Sequence, residues 1–195
     1  MDECHSLGAI GATGRGVEEF LGLPADTIDI KMGTLSKAIP SVGGYVAGSR
    51  KLCDYLRHQS RGFIYSGAMP PPAAAAALKA LRVIEDEPDR VDRLHANVAH
   101  FASALRRAGF DTLRTQSPIF PIVCGENEAA FRAARLMQKR GFYVQGIPAP
   151  VVPAGTARLR VSVTAAHRPE DLDAFVEALM SVAAETGVQL QRTAP

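Results

Sequence analysis

Gly33-Thr34-Leu35-Ser36-Lys37-Ala38-Ile39-Pro40-Ser41-Val42-Gly43-Gly44-Tyr45 is the stretch from which the rest of the chain is read. It sets one lysine among small and hydroxylated residues, with glycine on both sides. Upstream, Thr27-Ile28-Asp29-Ile30 reads as a short strand. Downstream, Gly44-Tyr45-Val46-Ala47-Gly48 reads as another, bounded by glycines. Lys37 is therefore expected just after a strand and a Gly-Thr turn. Taken alone, a lysine there is most simply a solvated one.

Two other patterns flank this one. Asp2-Glu3-Cys4-His5-Ser6-Leu7-Gly8 leads into Gly14-Arg15-Gly16, and Val152-Pro153-Ala154-Gly155-Thr156-Ala157-Arg158-Leu159-Arg160 lies far downstream. By themselves Asp2 and His5 read as a turn-capping acid and an exposed imidazole. They also admit a hydrolase or metal site, but no second cluster at ligand spacing supports a metal. Arg160, alternating with apolar residues, reads alone as a surface or ion-paired strand residue.

Between and beyond these patterns the chain punctuates itself clearly. Ser49 to Ser60 is expected to be helical, with Leu52, Tyr55 and Leu56 on one face. Phe63-Ile64-Tyr65 reads as a short buried strand. Proline is tolerated in a first helical turn and alanine is the best helix former, so Ala73 to Glu87 is expected to be a helix. Pro88 interrupts it, and a second helix runs from Asp89 to Ala108, closed by Gly109. Strands follow at Ile119 to Val123, Phe142 to Gln145 and Ala157 to Val163. Helices are expected at Glu126 to Arg140 and Pro169 to Thr186, the latter burying Leu172, Phe175, Val176 and Leu179.

Composition narrows the class. Of the 195 residues, 47% are hydrophobic and 22% charged, as in an ordinary globular protein. A net charge of +2 points to neither nucleic acid nor an anionic membrane. No apolar run approaches the roughly 20 residues of a membrane span. The acidic start of the chain is not a secretory signal. Cys4, Cys53 and Cys124 are odd in number and far apart, against a disulfide framework and in favour of a reducing cytoplasm.

In combination the patterns carry a resemblance. The Asp2 to Gly16 stretch resembles the Asp-Glu-Ala-His-Ser-x-Gly…Gly-Arg-Gly run of the α-oxoamine synthases, a family of pyridoxal-phosphate (PLP) enzymes. Thr34-Leu35-Ser36-Lys37-Ala38 resembles their Schiff-base lysine segment. Phe63-Ile64-Tyr65-Ser66-Gly67-Ala68-Met69-Pro70-Pro71 resembles their Tyr-Ser-x-x-x-Pro-Pro stretch. The segment ending at Arg160 is closest in pattern to the 8-amino-7-oxononanoate synthases and glycine C-acetyltransferases. The order and spacing agree from Asp2 to about Val188.

The resemblance implies an α/β fold: the C-terminal portion of a fold-type-I PLP-dependent large domain over 1–88, and a small C-terminal α/β domain over 89–195. It implies a cytoplasmic homodimeric acyltransferase that condenses a small amino acid with an acyl-CoA or other acyl thioester to an α-amino ketone. Lys37 would hold the cofactor and act at the α-carbon. Asp2 would keep the pyridine nitrogen protonated, because an opposite charge favours the charged form. His5 would hydrogen-bond the ring oxygen, and Thr34 the phosphate. Ser66 would reach the neighbouring subunit's phosphate, and Arg160 would pair with the substrate carboxylate through its planar fork. Arg158 would be structural.

Two departures from the pattern are expected to matter. Ile39-Pro40-Ser41 replaces glycines and stiffens the loop after the lysine, and Gly67, where relatives often have Thr or Asn, weakens one phosphate contact. Family members are much longer, so the chain is expected to be a piece of a larger enzyme. The alternative is an inactive fragment serving as a dimerisation or binding module.

Overall fold

A computed structural model describes residues 1–186 of the chain. They form two compact units that divide between Asp92 and Arg93.

In the first unit, β1 (Ile30–Ser36) and β2 (Pro40–Gly48) make an antiparallel hairpin. Ser36 pairs with Pro40, so Lys37, Ala38 and Ile39 form the whole connection. The first residues of the chain run parallel to β1: Asp2 bridges Met32, and the Glu3 N–H donates to the Met32 carbonyl at 2.7 Å. Helix α1 (Val17–Phe20) is a single turn that the sequence pattern did not anticipate. Helix α2 (Arg50–Gln59) starts where the Ser49 hydroxyl accepts the Leu52 N–H at 3.2 Å. Helix α4 (Pro71–Asp86) begins on prolines and buries Ala77. Its small side chains let it close on the hairpin. Leu35, Ile39 and Ala77 form the buried cluster there, flanked by Leu7, Tyr45, Met69, Ala80 and Ile84.

Two expectations in this unit are corrected. Thr27–Ile30 is not a strand; β1 begins only at Ile30 and continues through Gly33 and Thr34, which are strand residues rather than a turn. The amides before Ile30 are used locally instead, Thr27 N–H donating to Pro24 O at 3.1 Å and Ile28 N–H to Glu18 Oε1 at 2.8 Å. Phe63-Ile64-Tyr65 is not a buried strand either. Phe63 and Ile64 belong to α3 (Arg61–Ile64), their amides donate to the Ser60 carbonyl, and all three side chains are exposed. A short apolar run carries no period by which to tell strand from helix.

The second unit is a three-stranded antiparallel sheet with helices packed on it. The strands are β3 (Ile119–Gly125), β4 (Gln145–Ile147) and β5 (Ala157–Ser162), in the order β3-β5-β4. Helix α5 (Asp89–Arg107) supplies Phe101 and Leu105, α6 (Asn127–Lys139) Ala133 and Met137, and α7 (Pro169–Thr186) the expected stripe of Leu172, Phe175, Val176 and Leu179. Phe101 meets Phe120 edge-on, with ring centroids 5.1 Å apart. The strand expected at Phe142–Gln145 instead starts at Gln145. Phe142 ends helix α6, its N–H donating to Met137 O at 3.0 Å while Gly141 takes φ +87°.

Candidate active site

Lys37 projects from the tip of the β1–β2 hairpin, and its Nζ lies 3.0 Å from His5 Nε2. With Lys37 as an ammonium, which only donates, Nε2 accepts and the imidazole proton sits on Nδ1. The tip is held from below and from the side. Ile39 is 1% exposed and anchors it in the small cluster. Gly8 takes φ +76°, and a Cβ there would lie 2.9 Å from Ala38 Cβ. Only glycine allows the Asp2–Gly16 segment to turn and pass this close to the lysine loop.

That segment is tied together by two carboxylates which the sequence reading did not single out. Buried Glu3 accepts the Ser6 hydroxyl, and both its oxygens lie 3.3 Å from the Val17 N–H. Glu19 accepts Thr13 N–H at 3.0 Å, Thr13 Oγ1 at 2.7 Å and Arg15 N–H at 3.0 Å. Both lie inside or beside the motif. Their signal in the sequence was only that of acids near glycine turns.

Asp2 sits beside β1 with its Oδ1 accepting the Cys4 N–H at 2.8 Å. The Cys4 thiol and N–H, followed by the charges of Lys37 and His5, hold the Asp2 carboxyl below its ordinary range. The Asp2 carboxylate in turn pushes the Cys4 thiol up. Tyr45 lies across Gly33, where a Cβ would come 2.5 Å from its hydroxyl. Burial first, then the acidic groups of Glu3, Cys4 and Asp2, raise the Tyr45 phenol. Cys4 and Tyr45 thus belong to this neighbourhood.

Thr34 and Ser36 share one side of β1, with their hydroxyls 2.8 Å apart and Thr34 Oγ1 3.4 Å from Gly43 O. Asp2, His5, Thr34 and Lys37 therefore occupy one end of the hairpin and the strand edge beside it. Ser66 spends its hydroxyl on the Gly62 carbonyl at 2.6 Å and is not drawn into that cluster by any hydrogen bond.

Arg160 lies in the second unit, on the side of β5 that faces away from the core, with Pro121 and Gln145 as its cross-strand neighbours. Arg158, on the same side, is locked by Thr156 O at 2.9 Å and Thr156 Oγ1 at 3.0 Å. Arg160 has no such lock among the described residues. No group of three or more potential metal ligands occurs among the described residues. None of the described helices is long and apolar enough to cross a membrane.

Residues 1–179 match the family model described as aminotransferase class I and II. The chain is 47% identical over 182 residues to an 8-amino-7-oxononanoate synthase of Anaeromyxobacter dehalogenans, covering 93% of this chain and 46% of that relative. It is 43% identical over 188 residues to the 8-amino-7-oxononanoate synthase/2-amino-3-ketobutyrate coenzyme A ligase of Thermus thermophilus, covering 96% and 48%. A solved structure of SPT (serine palmitoyltransferase) with PLP internal aldimine superposes with a TM-score of 0.89 at 30% identity, over 96% of this chain and 48% of that one. The chain spans about half the length of the curated relatives it matches.

Proposed function

This chain belongs to the aminotransferase class I and II family, on its α-oxoamine synthase branch, and from that premise we propose that it carries the lysine side of a PLP-dependent acyltransferase site. In a protein of its relatives' full length, the reaction is the condensation of a small amino acid with an acyl-CoA or acyl thioester to an α-amino ketone. The observation that carries this reading is the Lys37–His5 contact at 3.0 Å, with the Asp2 carboxylate on the adjoining strand edge.

The residues present suit the cofactor. An exposed primary amine is available to an aldehyde, an acid held in its ionised form suits a pyridinium, and the Thr34 hydroxyl suits a phosphate. When bound, PLP supplies an electron-accepting ring for the pair left at the amino acid's α-carbon. Asp2 keeps the proton on the ring nitrogen. His5 presents its imidazole to the ring oxygen. Lys37 would hold the aldehyde and, as a free amine, would carry a proton to or from the α-carbon, a task for a compact, titratable amine rather than an arginine. Arg160, lacking the lock that restrains Arg158, clamps the substrate carboxylate with its two-pronged guanidinium. Ser66 serves the neighbouring subunit's phosphate in a cytoplasmic homodimer, once its hydroxyl leaves the Gly62 carbonyl.

The test is to add PLP to the purified chain, read the visible absorbance, reduce with borohydride and locate the label by peptide mass spectrometry. The label is expected on Lys37 and is lost in Lys37→Ala. A folded chain that takes no label at Lys37, either alone or supplied with the other half of a relative, overturns the reading.

A further inference from the structure

The α-oxoamine synthase pattern has glycines after its Lys-Ala pair, and this chain has Ile39-Pro40-Ser41. The Ser41 hydroxyl donates to the Ala73 carbonyl in the first turn of α4 at 2.7 Å, and the Ser41 N–H donates back to the Ile39 carbonyl at 3.0 Å. The second bond closes a tight turn over Pro40, whose ring fixes the backbone there. Ser41 thus joins the end of the lysine loop to α4 with both of its donors. Helix α4 also supports the lysine's neighbour. Ile39 packs with Ala77, one turn beyond Ala73. A Cβ at Gly8 would lie 2.9 Å from Ala38 Cβ and 3.2 Å from Ile84 Cδ1, so the segment carrying His5 lies against both the loop and the same helix. Helix α4 is therefore the common platform on which the 3.0 Å Lys37–His5 separation is set. A glycine at position 41 would keep the bond to Ile39 and lose the tie to α4.

We propose that Ser41 is a positioning residue for Lys37: its hydroxyl, anchored on the Ala73 carbonyl, holds the lysine loop so that the amine already meets His5 before an aldehyde arrives. This rests on the reading of Lys37 as the amine that takes the cofactor's aldehyde. An amine held at its point of use needs less ordering when it reacts. Ile39 does not suffice for this. Its burial is non-directional and holds the loop down on the cluster, whereas the Ser41 bond depends on distance and angle and fixes the loop along α4.

The experiment uses the full chain without cofactor. A neutral imidazole carries one proton, and the hydrogen bond made at one nitrogen decides where it sits. With Lys37 donating to Nε2, His5 carries that proton on Nδ1. Nitrogen-15 NMR of His5, at a pH where the ring is neutral, reads the tautomer in the parent, Ser41→Ala and Ser41→Thr chains. Lys37→Ala supplies the spectrum of His5 without the amine. Ser41→Ala is expected to move the tautomer ratio toward that reference, by about fivefold for a hydrogen bond of ordinary net strength. Ser41→Thr keeps the hydroxyl and is expected to stay with the parent. A role in stability alone would leave the tautomer of the folded chain unmoved. Identical His5 spectra in parent and Ser41→Ala, or in parent and Lys37→Ala, overturn the proposal, as does a Ser41→Thr chain that departs as far as Ser41→Ala. Should Ser41→Ala fail to fold, Ser41→Cys, a weak donor of similar size, takes its place. Because the readout needs no PLP, a chain that refuses the cofactor while His5 responds to Ser41→Ala defeats the proposed function and leaves the Ser41 anchor standing. A chain labelled at Lys37 whose His5 ignores Ser41→Ala defeats this inference alone.

Discussion

The two units are built on different principles. The second buries a large continuous core in which Phe101, Leu105, Phe120, Ile122, Met137, Leu159 and Val182 are all below 2% exposed. The first buries only Leu35, Ile39 and Ala77 in its cluster, and leaves Ile30, Met32, Val46, Phe63 and Tyr65 exposed. It is organised instead by glycine turns, by the carboxylates of Glu3, Glu18 and Glu19, and by the pairing of Met1–Glu3 with β1. The candidate lysine sits on this polar scaffold. The comparison teaches that packing holds the arginine-bearing sheet, whereas hydrogen bonds and backbone geometry place the lysine.

That contrast can be broken in several places. The largest effect is expected from Phe101→Ala, which empties the centre of the aromatic cluster and costs about 3–5 kcal/mol. Denaturant unfolding followed through the Phe120 and Phe175 signals reads it; a loss below about 1 kcal/mol would mean that the core is not the second unit's support. Ile39→Ala comes next. Its cluster is small, so a loss near about 2 kcal/mol is expected. Hydrogen exchange should show faster opening of the β1 and β2 amides, with β5 unchanged. Gly8→Ala follows, at about 1–2 kcal/mol for a left-handed residue that gains a Cβ. Its new methyl presses on Ala38, so borohydride trapping at Lys37 should slow as well; unaltered trapping would separate the Asp2–Gly16 segment from the lysine loop.

The smallest effect concerns acid. Glu18 is held below its ordinary 4.5 by the Lys31 ammonium, despite some burial that works the other way. A depressed carboxyl stabilises the fold above its unfolded value, and the contribution is lost as pH falls through the folded value. The β1–β2 signals should therefore weaken on acidification below about 4.5. Glu18→Gln should flatten that acid limb. An identical acid limb in the variant would remove Glu18 from the first unit's supports.

Legibility in the sequence followed the same division. Helix α7 and its buried stripe were readable because the stripe repeats over eighteen positions and its faces differ sharply. The alanine-rich α4 was readable from propensity and its opening prolines. The strand at Thr27–Ile30 and the buried run at Phe63–Tyr65 were misread, since runs of three or four residues fit several local structures. Glu3 and Glu19 look like surface acids in the sequence. Their partners are amides at Val17, Thr13 and Arg15, which come within reach only after the glycine turns have formed. Cys4 stands inside the quoted motif, but nothing in the sequence places its N–H on Asp2 and its sulfur against Met32.

What the amino-acid order determined unaided was the class of fold, most of the helices, and the set of residue types from which a PLP site can be assembled. Those depend on short-range periods and on the presence of particular functional groups. Tertiary structure alone decided which of these groups meet. His5 and Lys37 stand 32 positions apart, and their contact exists because Met1–Glu3 pairs with β1 while Ile39 and Gly8 fix the hairpin tip. Convergence of that kind comes from strand pairing and close packing between distant segments, and no local period in the chain encodes it.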